Sequence, residues 1–337
     1  MLFAWMVIFF PAKATILTVD NNPNSGGQYN NLTAAITAAS VGDTIYIIGS
    51  QVSYGSPTIS KKLTLIGAGY NPSNQFGLRT TLDYIYFSTS VAPNTTSSGS
   101  KVMGIQCSGI YGNASNVNDI VIERTNASSI SLTTNNNGWI IQNNIIDYIY
   151  INYNSNILIR NNIIKGQIYS TSQPSVLVSN NVFTGTPTAG TVFSTASHLI
   201  ITNNIFYYGR SPQGTTLSTY NNNIAYFTPN DTMVIGTNTG SGNLINVNPQ
   251  FVNAPSGTFD YAYDYQLKSN SQGKNAGTDG TDIGAYGSLN PFPIGGVAPF
   301  ITSAMPAVPQ VIELNILNSS ILQGDSLQVH VKARKQN

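Results

Sequence analysis

The chain holds a single cysteine, two histidines and few charges: over 337 residues, Lys plus Arg number 14 and Asp plus Glu 13. One thiol, Cys107, cannot close an internal disulfide, so packing alone must hold the fold. Cys107 has no histidine near it in sequence, which fits a small buried residue better than a nucleophile. The near balance of charge gives no sign of a nucleic-acid or acidic-membrane partner. After the first residues, no run is apolar enough to cross a bilayer, which takes about 20 residues. Carboxylates are scarce where the pattern is strongest. Between residues 118 and 227 the acidic residues that could serve chemistry are Asp119, Glu123 and Asp147.

What the chain has instead is asparagine, 41 residues against 14 + 13 = 27 charged ones, and most of the order in the sequence is built on it. A short phrase returns as WIIQNNII from Trp139, ILIRNNII from Ile157, VLVSNNVF from Val176, LIITNNIF from Leu199 and, weaker, TYNNNIAY from Thr219. The Asn pairs begin at Asn143, Asn161, Asn180, Asn203 and Asn222, in steps of 18, 19, 23 and 19, and a worn copy, IVIERTNA from Ile120, precedes them. A period of this size built from short apolar runs predicts a stacked solenoid. The runs are rich in Ile and Val and too brief for helices, so they read as strands. Asn-Asn is a turn, because Asn tolerates the left-handed backbone region and its amide can satisfy nearby main chain. Stacked at the strand spacing of about 4.8 Å, the turn amides can bond to those above and below.

The first residues, MLFAWMVIFFPAKA, resemble a secretory signal ending in Ala12-Lys13-Ala14, with cleavage before Thr15 and export of the remainder. Residues 29–40 place Tyr29, Leu32, Ile36 and Ala39 at helical spacing, with Asn30 or Asn31 as cap, a helix suited to cover the open end of a strand stack. GDTIYIIGS and KKLTLIGAGY follow, each a strand ending in glycine turns, and then TLDYIYFSTS and KVMGIQCSGI as further early coils.

This order of capping helix, GDTIYIIGS, KKLTLIGAG and Asn-Asn coils resembles the right-handed parallel β-helix of the pectate-lyase-like superfamily. NPQFVN from Asn248 and YQLKSNSQGKNAGTDGTDIGAYG from Tyr265 are similar to the closing segment of its secreted bacterial members, so the β-helix is expected over residues 15–288. The resemblance implies an extracellular or cell-surface protein with a polysaccharide partner, while leaving its activity open among lyases, hydrolases, epimerases and adhesins. The aspartate-rich motifs of the polygalacturonases (Asn-Thr-Asp, Asp-Asp, Gly-His-Gly, Arg-x-Lys) are absent, which disfavours a hydrolase and its paired carboxylates.

A lyase would need a cation against the substrate carboxylate and a base for the neighbouring proton. The outward position before each Asn pair reads Glu123, Gln142, Arg160, Ser179, Thr202, and beyond the turn Asp147 and Lys165 should sit one coil apart. Arg160 as base, with Lys165 or Asp147 contacting substrate or calcium and Glu123 nearby, is the available constellation. An ordinary salt bridge between coils is the alternative. Asp279 and Asp282, in GTDGTDIG, could hold calcium, although the spacing matches no calcium loop, and no other cofactor is implied. His198 falls at a turn and His330 on a polar strand face, with no acid or nucleophile adjacent.

Tyrosines suggest binding. In DYIYINY, Tyr148 and Tyr150 share the face opposite Ile149 and Ile151, and Tyr169, 19 residues past Tyr150, should stack on it; Tyr207 and Tyr208 follow the fourth copy. Exposed rings in register can pack against sugars and offer hydroxyls for hydrogen bonds.

Residues 289–301 form a Pro/Gly-rich connector, and 302–337 contain two alternating runs, VIELNIL and SLQVHVKAR, that predict a β-hairpin. Such a hairpin needs a surface to rest on. The outward positions Val121, Ile140, Leu158, Leu177 and Ile200 form an apolar stripe, and the hairpin or a partner chain is expected to cover it. Deletion from Asn290 onward should then lower solubility. The sequence thus leads to an exported β-helix that binds carbohydrate or serves a surface role, with a β-eliminating lyase on an acidic glycan as the alternative.

Overall fold

The computed structural model describes residues 14–23, 26–73, 78–91, 95–170, 175–186, 190–293, 300, 304–305, 310–318, 324 and 326–334. The expected signal peptide lies outside the described residues except for Ala14, as do parts of the connector and hairpin. Apart from one helix, Leu32–Ala38, the extended regular structure is β, in parallel strands that stack coil upon coil as a parallel β-helix.

Two long sheets form the walls. A ten-stranded sheet takes one strand from each coil in sequence order, from Ile16–Val19 through Ile140–Gln142 and Ile157–Arg160 to Thr219–Asn221. A twelve-stranded sheet holds Thr81–Phe87, Gln106–Gly112, Asn126–Leu132 and Ile145–Ile151 in successive coils, and ends at Leu244–Ile245. Among the described residues the last parallel pairing is that of Leu244–Ile245, within the 15–288 expected for the β-helix. Beyond it, Phe251–Asn253 pairs antiparallel with Asp264–Leu267, and the chain turns back over the outside.

Like residues lie over like. Val102, Ile122, Ile141, Ile159, Val178, Ile201 and Tyr220 make one file inside the ten-stranded sheet, each 0% exposed. Opposite, Ile85, Ile110, Ile130, Ile149, Ile168 and Phe193 do the same. Burying each such side chain is worth about 1.5–3 kcal/mol, so the coil is held by repetition, as its lack of disulfides requires. Trp139 is the largest fully buried side chain among the described residues, its indole donating to the Val117 carbonyl at 2.8 Å and its ring edge-on to Phe87 at 5.6 Å.

The corner between the sheets is made by the Asn pairs, whose two members do different work. The first Asn of each pair turns the chain with φ of 56° at Asn143, 52° at Asn161, 53° at Asn180, 58° at Asn203 and 52° at Asn222. The second points inward and is buried. Asn144 donates its amide to the Asn162 side-chain oxygen at 3.1 Å, Asn162 to Asn181 at 3.0 Å, Asn181 to Asn204 at 2.9 Å and Asn204 to Asn223 at 3.0 Å. Each of these oxygens also accepts the backbone N–H of the preceding asparagine in the file, at 2.9–3.0 Å. Main-chain groups that the turn leaves unpaired are thereby satisfied inside the core, where an orphan would cost about 1–3 kcal/mol.

The first asparagines face outward and grip the returning chain. Asn143 donates to the Asn290 carbonyl at 3.2 Å, Asn161 to those of Ala285 and Gly287 at 2.9 Å each, Asn180 to Asp282 at 3.3 Å and Asn222 to Ala276 at 2.8 Å. Residues 276–290 thus climb back along the corner, and Arg124, in the worn copy, continues the pattern by donating to the Met305 carbonyl at 3.2 Å. This strap and the antiparallel pair cover an outward file on the twelve-stranded sheet, Ile145, Ile163, Val182, Ile205 and Ile224, forming a second hydrophobic core with Phe251, Tyr265, Phe292 and Phe300.

At the other end Asn31 caps the helix, accepting from the Ala34 N–H at 3.1 Å, and Leu32, Ala35 and Ile36 are buried. The helix packs on the strands Ile16–Val19 and Thr44–Ile47. Asp43 ties this end together by accepting from the Thr15 N–H at 2.8 Å and the Ser40 N–H at 2.7 Å. Those bonds hold its carboxyl below the ordinary value despite burial.

The outer apolar stripe is as spaced in the sequence: Val121, Ile140, Leu158, Leu177 and Ile200 are register neighbours. Four are half-buried by one another and Ile200 is 49% exposed. Gln310–Ile316 and Val329–Arg334 pair antiparallel as the expected hairpin. Its described apolar residues, Ile316, Leu317, Leu327, Val329 and Val331, are all exposed, so these side chains are not packed on the stripe. The strap covers a different file, next to the corner asparagines whose amides hold the returning chain.

Candidate functional site

On the outer face of the twelve-stranded sheet, alternation within each strand turns one set of side chains to solvent, and the stacked register collects tyrosines there. One file reads Tyr86, Tyr111, Ser131, Tyr150, Tyr169, Ser194 and the file beside it Tyr84, Gly109, Ser129, Tyr148. Tyr150 and Tyr169 stack with centroids 4.7 Å apart and planes within 8°. Tyr86 and Tyr111 stack at 5.4 Å and 20°. Tyr84 and Tyr148 stand beside their stacks, each 38% exposed, with Tyr84 at 5.8 Å from Tyr111 and Tyr148 at 6.3 Å from Tyr169.

Hydroxyls line this face. Tyr169 donates to the Gln167 side-chain oxygen at 2.6 Å, and the hydroxyls of Tyr111 and Ser129 lie 3.4 Å apart. Partial burial raises the Tyr150 hydroxyl above its usual value, and nearby Tyr169, Tyr148 and Tyr111 add to the shift. Arg210 is buried behind the second group and hydrogen-bonds to Tyr148; burial draws its guanidinium below the usual value, while Tyr148 and Tyr169 oppose that shift. A wall rises beside the face, where Tyr261 accepts from the Asn126 amide at 2.6 Å and Lys165 lies 5.6 Å from the Phe259 ring centroid.

The expected stacking of Tyr169 on Tyr150 is therefore present, with Tyr148 alongside. Tyr84, Tyr86 and Tyr111 belong to the same face and were not singled out in the sequence. A signal for them was there: LDYIYF from Leu82 repeats IDYIYI from Ile146, and the register aligns the two. Tyr207 is a correction. Its ring is 6% exposed, packed edge-on to Phe251 at 5.0 Å, and its hydroxyl donates to the Ala254 carbonyl at 2.6 Å, so it belongs to the second core. Burial also raises its hydroxyl well above the usual value. Tyr208 is half-buried against Phe227 and borders a separate concavity of about 340 Å³ with Gln250 and Lys268, away from the stacked tyrosines.

The charged candidates fall into two groups. Asp147 and Lys165 meet as a salt bridge of 2.6 Å on the twelve-stranded sheet. Arg160 lies on the ten-stranded sheet, where its Nε donates to Gln142 at 2.9 Å; Gln142 donates to Glu123 at 2.9 Å, and Glu123 pairs with Lys101 at 2.7 Å. Burial pulls Arg160 below its usual value, with Glu123 acting against that. The constellation drawn from the sequence is thus divided between two sheets, with Asp147 and Lys165 paired on one and Arg160 bonded to the uncharged Gln142 on the other. Asp282 pairs with Lys274 at 2.7 Å, and Asp279 accepts from the Thr281 N–H and hydroxyl at 3.0 and 2.8 Å. Among the described residues no three His, Cys, Asp or Glu side chains converge. Cys107 is buried, its thiol pushed up to about 12 by desolvation, and so is inert as a nucleophile at neutral pH. His198 sits at a turn with φ of 60°, 3.2 Å from the Ser197 hydroxyl.

No family model matches this chain, and no curated protein matches it. Among solved structures it is similar to the pectin methylesterase from Aspergillus niger in deglycosylated form, with 14% identity over 69% of this chain and 86% of that one, at a TM-score of 0.25. The same enzyme in penultimately deglycosylated form gives 13% identity over 79% and 94%, at a TM-score of 0.24. Values this low leave the functional reading to the residues of the chain itself.

Proposed function

We propose that this protein is an exported β-helix module that binds a polysaccharide on the tyrosine face of its twelve-stranded sheet. The observation that carries this reading is the collection of Tyr84, Tyr86, Tyr111, Tyr148, Tyr150 and Tyr169 on one outward surface, in register and partly exposed. Rings of this kind give apolar contact to sugar C–H groups and hydroxyls to sugar oxygens. The straight ladder of coils suits a polymer rather than a compact ligand. Export is supported by the apolar leader ending in Ala-Lys-Ala.

The test is retention on insoluble polysaccharides. Replacing Tyr148, Tyr150 and Tyr169 together by Ala should lower affinity by about tenfold or more, at roughly 0.5–1.5 kcal/mol per ring, with the far-ultraviolet spectrum of the β-helix unchanged. Full retention by the folded triple variant would sink the reading. Release of an ultraviolet-absorbing unsaturated uronate from an acidic glycan would support a lyase instead.

A further inference from the structure

The tyrosine file is interrupted at one place. Tyr86 and Tyr111 stack below, Tyr150 and Tyr169 stack above, and the coil between them carries Ser131 in the ring-bearing position. In the adjoining file the same coil carries Ser129, flanked by Gly109 and Tyr148. Tyr111 and Tyr150 are therefore two coils apart, about 9.6 Å at the strand spacing of roughly 4.8 Å. A ring set midway would lie about 4.8 Å from each tyrosine, within the usual range for ring stacking. At the backbone spacing of two coils, the gap has room for about one ring.

The position is a crevice, for Ser129 and Ser131 are only half exposed despite being small. Tyr111 leans over Gly109, where an added Cβ would come within 2.7 Å of its ring, and its hydroxyl reaches toward Ser129. Gly109 thus leaves room for the Tyr111 ring to lean across the neighbouring file. The bottom of the crevice presents the hydroxyls of Ser129 and Ser131, and the strand Asn126–Leu132 has no ionised side chain.

We infer that this gap between Tyr111 and Tyr150 is a subsite for a single pyranose ring of a neutral glycan, held between the two tyrosines above Ser129 and Ser131. The inference rests on the glycan-binding reading and narrows it. Aromatic walls suit the C–H faces of a sugar, whereas a hydroxylated bottom without charge suits its equatorial hydroxyls better than a carboxylate or a purely apolar ring.

The decisive variant is Ser131→Tyr, which supplies the missing member of the stack and closes the crevice. Tyrosine favours strands, so the variant is expected to keep or raise the melting temperature. Calorimetric titration of the full chain with cellohexaose, chitohexaose and hexagalacturonate provides the readout. Wild type should bind at least one of the two neutral hexamers, Ser131→Tyr should weaken that binding about tenfold or more, and Ser131→Ala should stay within about threefold. Ser131→Leu, which fills the crevice with less bulk, should also weaken binding and serves if the tyrosine variant does not fold. Equal binding by wild type and a folded Ser131→Tyr or Ser131→Leu, with the triple tyrosine variant impaired, overturns the subsite alone. Binding of hexagalacturonate only overturns its neutral character. Failure of wild type to bind any of the three overturns the glycan reading and the subsite with it.

Discussion

The outer faces of the two sheets are built from the same repeat and have opposite fates. On the ten-stranded sheet the stripe from Val121 to Ile200 stays partly exposed among the described residues, with Lys101 at its end and the polar series Glu123, Gln142, Arg160 beside it. On the twelve-stranded sheet an equally aliphatic file, Ile145, Ile163, Val182, Ile205 and Ile224, is sealed beneath the returning chain. The difference arises at the corner. The first asparagines of the pairs lie next to that second file and present a regular series of amides at coil spacing, which hold the carbonyls of residues 276–290. A stripe without such anchors stays open, however apolar it is. Apolar area supplies attraction, and directional bonds choose which area is covered.

Truncation gives the largest effect that could break this comparison. Ending the chain after residue 289 removes Phe292 and Phe300, both 0% exposed, at about 1.5–3 kcal/mol each, and loosens the strap above the second core. A fall in melting temperature of about 10 °C and increased binding of a hydrophobic dye are expected. Ending it after residue 305 removes the hairpin, whose described apolar residues are exposed, and should shift the melting temperature by no more than about 2 °C. Equal losses from both truncations would mean that the hairpin, and not the strap, closes the molecule.

The two members of one Asn pair offer the next test. Asn162→Ala removes the amide that donates to the Ile141 carbonyl at 2.8 Å and to Asn181 at 3.0 Å, and the oxygen that accepts from Asn144. Two or more buried groups lose their partners, so a loss of about 3 kcal/mol or more in denaturant unfolding is expected. Asn161→Ala also strains a backbone at φ of 52°, at about 1–2 kcal/mol, but its lost bonds lie on the strap. Its signature should be earlier proteolytic cleavage within residues 276–290, with the coil intact. Asn161→Gly relieves the strain without restoring the bonds, so it should recover stability and not protection.

The smallest effect concerns the capped end. The Asp43 carboxyl is held below its ordinary value by the Thr15 and Ser40 amides, so its contribution is complete above about pH 3.9 and is lost as pH falls through the lower folded value. Asp43→Asn should therefore melt below wild type at neutral pH, and the gap should close in strong acid. A gap that stays constant with pH would exclude the carboxylate as its source.

The tyrosine face shows where reading a sequence stops. Stacking of Tyr169 on Tyr150 followed from a 19-residue step within the regular repeat, and the pair stands 4.7 Å apart. Tyr111 lies 20 and then 19 residues before Tyr150 by way of Ser131, whereas Tyr86 lies a further 25 residues back, so the repeated phrase DYIY and not a fixed step points to it. Tyr207 sits in as regular a copy as any, yet it is buried, because Phe251 and Ala254 fold onto it from later in the chain. Similarly, Asp147 and Lys165 were placed as neighbours by the step alone, whereas the separation of Arg160 from them depends on the bend at Asn161-Asn162.

By itself the sequence determined the coil: its period, its inner aliphatic files, the turns at Asn143, Asn161, Asn180, Asn203 and Asn222, and the capping helix. All of these follow from contacts between residues one coil apart, and a fixed step records them directly. Only the tertiary structure decided which outer file is covered, which tyrosines remain open and where one ring is missing from their stack. The first two depend on residues 251–293, which carry no repeat and meet the coil at sequence distances that no period encodes, and the third on the register of Ser131 between Tyr111 and Tyr150.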